Sequence, residues 1–220
     1  MWRILLFFFS IILPYVILAQ DTVNQTDTLG RRQGFWKKTD TEGKIIYQGQ
    51  FRDGIPFGQF LYLYPDGKIK TESQMSENGK IASTLTYYPN GKKMAEGIYI
   101  EEKKHGLWKF FSEAEGSLLS EETYVMGVKN GISKTYFPDG GLAEILTWEN
   151  GVKSGLWEQY YSDGHIKFRG SYLDNEKHGD LIAFYLSGRV MFTGKYEHGK
   201  RVGQWVYYDE TGKIRKNENE

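Results

Sequence analysis

From Gly34 onward, apolar and polar positions recur at a near-constant interval. Counted from the residue two before each Trp or Phe position, units start at Gly34, Gly58, Ala82, Gly106, Gly131, Gly155, Gly179 and Gly203, in steps of 24 residues with one of 25. A second glycine follows nine positions after the start (Gly43, Gly67, Gly91, Gly140, Gly164, Gly188, Gly212) and ten after it at Gly116. The extra residue falls within SEAEG (Ser112–Gly116), between two apolar stretches, where an insertion marks a loop. Self-similarity at a period of this length is the signature of a repeat architecture.

Each unit predicts one β-hairpin. YPDG at Tyr64, YPNG at Tyr88 and FPDG at Phe137 carry turn chemistry: Pro presets φ, Asp or Asn bonds its own backbone, and Gly takes the left-handed position. The expected fold class is therefore all-β: a single-layer antiparallel meander of about eight 24-residue hairpins. Strand alternation, with a three-residue turn ending at the second glycine, assigns the faces. It groups the Ile45/Ile69/Ile166 column and the Phe51/Tyr99/Tyr172 column with Gly49, Gly97, Gly170 and Gly194 on an apolar face. It places Trp36, Phe60, Trp108, Trp157 and Trp205, with Tyr161 and Tyr185, on an opposite face that mixes rings and charge. Those seven residues are the candidate binding face.

The chain outside the array adds an address. MWRILLFFFSIILPYVILAQ has a short positive start and an apolar stretch of signal-peptide length, so residues 1–19 are expected to be a leader and the protein to be exported to the periplasm, cell envelope or medium. Residues 20–32 read as a polar flexible linker, 33–216 as the array and 217–220 as a polar tail. Asn24-Gln25-Thr26 has the form of a glycosylation acceptor, a triplet common by chance. The chain has no cysteine, so stability must come from packing and strand pairing.

Composition mainly excludes. Lys plus Arg and Asp plus Glu both number 28, which leaves no global field for nucleic acid or an anionic membrane. The aromatic share of 16% and 26 glycines suit strands and turns. The four histidines lie in different turns, with His105 and His178 at one loop position three units apart. No His-Glu-x-x-His, P-loop, nucleophile elbow or EF-hand pattern is present. The adjacent carboxylates Glu101-Glu102 and Glu121-Glu122 point to opposite sides of a strand. No catalytic residue, cofactor or metal site is expected.

HGKRVGQWVYYDETGKI (His198–Ile214) and KHGLWKFFSEAEGSL (Lys104–Leu118) resemble MORN repeats, in the bacterial variant G-x-W-x-x-Y-Y-x-x-G-x-I-x-x-x-G-x-Y. The resemblance runs from about Gly34 to Arg215; Thr84 and Ser133 depart from it at the Trp position. It implies an extended β-meander and protein–protein scaffolding, sometimes lipid association, and many bacterial relatives are labelled antitoxins. The expected partner is thus an unidentified protein. A glycan or cell-envelope ligand, or a toxin neutralised by binding, is the alternative. The open edge strands are a second candidate contact, and membrane contact is expected only through an uncleaved leader or weak lipid binding.

Overall fold

A computed structural model describes residues 22–219; the expected leader at 1–19 lies outside the described residues. The strands are β1 (Gln25–Thr26), β2 (Arg32–Thr39), β3 (Ile45–Arg52), β4 (Ile55–Leu63), β5 (Ile69–Met75), β6 (Ile81–Tyr87), β7 (Lys93–Ile100), β8 (Lys103–Phe111) and β9 (Leu118–Val125). There follow β10 (Val128–Tyr136), β11 (Leu142–Glu149), β12 (Val152–Tyr160), β13 (Ile166–Leu173), β14 (Glu176–Lys177), β15 (Gly179–Phe184), β16 (Val190–Glu197), β17 (Lys200–Tyr208) and β18 (Ile214–Asn219). Each pairs antiparallel with the next in the chain, except that the short β14 and β15 both pair with β13. The all-β meander is therefore as the repeat predicts. Each of the eight units supplies one hairpin.

Two kinds of turn alternate. Within a unit, Tyr161–His165 is closed by Tyr161 N–H to His165 O (2.8 Å) and Gly164 N–H to Tyr161 O (3.0 Å), with Gly164 at φ 90°. Between units, two-residue turns such as Asn150-Gly151 have positive φ at both positions (49° and 87°). That is the geometry whose twist matches the flanking strands.

Bulges set the facing, and here the parity argument fails. Tyr160 pairs with Ile166, but Gln159 pairs with Phe168, so Lys167 is an extra residue. The same slip follows the turn in every unit. One extra residue in a period of two moves everything beyond it to the other face. Trp157 thus stands beside Gly170 and Leu146, and Trp36 beside Gly49. The Trp column belongs with the glycines and the Phe51/Tyr172 column. The Ile166 column lies opposite, with Tyr160.

The ring face is the core. Phe60, Trp108 and Trp205 are each 2% exposed and Trp157 7%. Phe60, Trp108 and Trp205 lie flat against the glycine of the strand before them. A Cβ on Gly49, Gly97 or Gly194 would stand 2.2–2.4 Å from the nearest ring atom. Rings from the preceding or following strand close in edge-on, as in Tyr99–Trp108 (4.8 Å between centroids) and Tyr196–Trp205 (5.3 Å). Such pairs contribute about 0.5–1.5 kcal/mol beyond area burial.

Two segments expected to lie outside the array belong in part to the sheet. Gln25 and Thr26 pair with Gln33 and Arg32, inside the expected linker, and Asn217–Asn219 of the expected tail pair with Val206, Trp205 and Gln204. Asn24 explains the first: its side chain accepts from Lys37 N–H (2.8 Å) and donates to Lys37 O (3.0 Å), imitating a strand partner.

Candidate functional site

The seven candidate residues do not form an exposed patch. Phe60, Trp108, Trp157 and Trp205 are core, and Trp36 is half-buried, its Nε1 donating to Gln25 O (3.0 Å). Cations cover the rings. Lys104 lies 4.8 Å over Trp108, Lys177 4.9 Å over Trp157 and Arg201 3.9 Å over Trp205. Tyr161 and Tyr185 are half-buried staples between units: their hydroxyls donate to Phe184 O (2.9 Å) and Tyr208 O (2.7 Å), as Tyr64 and Tyr88 do to Tyr87 O and Phe111 O. The physical reason is again the bulge, which turns the large rings toward the packed side.

The opposite face carries the exposed chemistry. Its central row runs across successive strands through Glu96, Lys109, Glu121, Lys134, Ile145, Glu158 and Arg169. Glu158 is buried, bonded to Tyr160 Oη (2.6 Å) and Arg169 Nε (2.6 Å). Burial pushes its pKa up, but those two bonds win and hold it below the ordinary carboxylate value. Burial, together with a carboxylate acceptor, raises the Tyr136 and Tyr160 phenols to about 12. Beside this row stand the exposed aliphatics Ile98, Leu107, Ile132 and Leu156, alternating with Thr123 and Thr147. The sequence signal for this face is the residue before each Trp position, as at Leu107, Ile132 and Leu156, which strand alternation sets opposite the ring.

No catalytic arrangement emerges among the described residues. His105 and His178 stay apart; His178 instead meets His198, with ring centroids at 5.6 Å. No cluster of three or more His, Asp or Glu disposed to hold a metal occurs among the described residues. Glu101 and Glu102 form a tight turn, both at positive φ. The edges differ. Part of the β2 edge is covered by β1 and Asn24, while β18 carries Arg215, Lys216 and Glu218 on the outermost strand. Charge on an edge discourages strand addition.

A one-layer meander of like hairpins, cored by a ring ladder and lacking a clustered reactive site among the described residues, defines a repeat protein. The sequence model described as MORN repeat variant matches residues 83–101, 129–150, 153–174 and 201–219. The chain carries MORN-variant repeats over those four segments. No curated protein matches it. Among solved structures it is similar to TcdB2-TccC3-Cdc42 (10% identity, TM-score 0.20, covering 84% of this chain and 14% of that one). It is also similar to TcdB2-TccC3-TEV (12% identity, TM-score 0.19, covering 87% and 12%). The chain thus spans a small fraction of those proteins, and TM-scores this low carry no argument.

Proposed function

We propose that this protein is an exported, non-catalytic scaffold that binds a protein partner through the charged face of its sheet. The observation that supports the reading is the row Ile98, Leu107, Ile132 and Leu156, exposed on one face with Thr123 and Thr147 between them, along a belt of Glu, Lys and Arg. Apolar anchors inside a polar rim are the usual anatomy of a binding hot spot. Export rests on the apolar N-terminal stretch with Arg3 ahead of it. Partner neutralisation of the antitoxin kind is a special case of the same binding.

The test is affinity capture with the full-length chain, read by mass spectrometry, against Leu107→Glu with Ile132→Glu. The reading expects a saturable partner that the double variant loses while its β circular dichroism is kept. A partner retained by this variant but lost on trimming β18 would move the contact to the sheet edge.

A further inference from the structure

The ring ladder is interrupted at units three, five and seven, where Thr84, Ser133 and Leu181 hold the Trp position, and it opens at the first of these. Phe60, Trp108, Trp157 and Trp205 occupy the Trp position of units two, four, six and eight, whereas unit three has Thr84 there. The strand before it also departs, with Ser73 where Gly97 and Gly194 stand. In place of a ring over a glycine, the two strands bring two hydroxyls together: Ser73 Oγ and Thr84 Oγ1 are 3.1 Å apart, each side chain only 7% exposed. One step along, Thr71 and Thr86 repeat the pair at 3.4 Å. Above these four hydroxyls the ring face opens into a recess of about 610 Å³, walled by Tyr62 on β4 and Tyr99 on β7.

We propose that this recess binds a neutral hexopyranose oligosaccharide. Its size falls within the roughly 300–1,000 Å³ of small-ligand sites. Its floor has unspent hydrogen-bonding capacity. Each hydroxyl is one donor and two acceptors, and each pair uses one donor, so every pair retains a donor and several lone pairs. Its walls are fixed rings: Tyr99 is braced edge-on by Trp108 (4.8 Å), and Tyr62 packs on Tyr47 (5.9 Å). A sugar matches this division, presenting C–H faces to rings and hydroxyls to hydroxyls.

Two observations select a sugar over an aromatic side chain from a partner. Elsewhere in the array a ring lies flat on a strand because the residue beneath is glycine; at Ser73 a Cβ and a hydroxyl stand in that space. The rim is also balanced in charge. Lys80 holds the chain position whose cation covers the ring in other units, but here it pairs with Glu101 at 3.0 Å. Lys70 and Glu102 complete the rim with opposite signs, so nothing favours a charged ligand.

The test is isothermal titration of the full-length chain with cellotetraose, chitotetraose and maltotetraose. At least one should bind with a Kd of about 1 mM or tighter. Ser73→Gly with Thr84→Trp rebuilds the pairing seen at Gly97 and Trp108, filling the recess, and should weaken binding at least about tenfold while the melting temperature is kept. Thr71→Val with Thr86→Val removes floor hydroxyls at nearly constant volume and should also weaken it; if the first variant does not fold, this one decides. No binding of the three sugars at about 10 mM would overturn the proposal, as would unchanged binding in the variants. Binding of N-acetyltryptophanamide in place of the sugars would also overturn it, assigning the recess to a protein side chain.

Discussion

The junctions entering units three and four solve one packing problem in opposite ways. Entering unit four, Gly97 lies under Trp108, and the sum of a missing and a very large side chain fills the space. Entering unit three, Ser73 and Thr84 are both small and bond each other, and the space stays open. Gly49 under Phe60, Glu122 beside Ser133 and Gly194 under Trp205 follow a similar exchange, whereas Trp157 has Leu146 in the strand before it and Gly170 in the strand after. Backbone follows side chain. Before unit four, β8 slips by two residues against β7 around Gly106, at φ 70°. Before unit three, Ala82 replaces that glycine, β5 and β6 pair without a slip, and the two residues reappear in a longer turn from Ser76 to Ile81. The 24-residue step survives because a bulge and a turn are interchangeable places to store two residues.

The comparison can be broken at several depths. Trp108→Ala should cost about 3–5 kcal/mol in urea denaturation, whereas Thr84→Ala should cost about 1 kcal/mol, since one opens a cavity and the other loses a hydrogen bond. Comparable costs would mean that the rings are not the core. Gly97→Val should cost roughly 3 kcal/mol, because the new Cβ would stand 2.4 Å from Trp108 ring atoms. Gly170→Val should cost less, about 1–2 kcal/mol, because its nearest neighbour is the movable Leu181 Cδ1 at 3.1 Å. Gly155→Ala, at φ 103° in the bulge, should lose about 1–2 kcal/mol. Ala82→Gly, where no bulge exists, should lose only about 0.5–1 kcal/mol. Tyr161→Phe removes a staple to Phe184 O and should lose about 1 kcal/mol.

A separate effect is alkaline. Tyr136 and Tyr160 have phenols raised from 10.0 to about 12. A pKa raised on folding gives stability that is fully present below 10 and is lost as pH rises toward 12. The melting temperature should therefore fall across that window, and less so for Tyr160→Phe. An unchanged slope in that variant would remove Tyr160 from the account.

Much of this was legible in the residues. The period, the hairpins, the turn glycines and the open meander follow from spacing and turn chemistry alone, because those are local. The facing was not legible, because it depends on one bulged residue, such as Lys167, that has no mark of its own. A usable signal did exist: glycine stands in the preceding strand beside three of the large rings, Gly49 for Phe60, Gly97 for Trp108 and Gly194 for Trp205, and this size exchange implies a shared face. The exposure of the candidate binding residues was misread for the same reason, since Phe60, Trp108, Trp157 and Trp205 lie on the packed side. The role of Asn24 escaped because strand mimicry by a carboxamide is tertiary information.

The central claim is that ring and glycine in successive strands are one packing unit. A double-mutant cycle on Gly97→Val and Trp108→Ala, read by urea unfolding, tests it most directly. The account predicts a coupling of about 1–3 kcal/mol, with valine nearly neutral once the indole is gone. Costs that simply add, within about 0.5 kcal/mol, would contradict it.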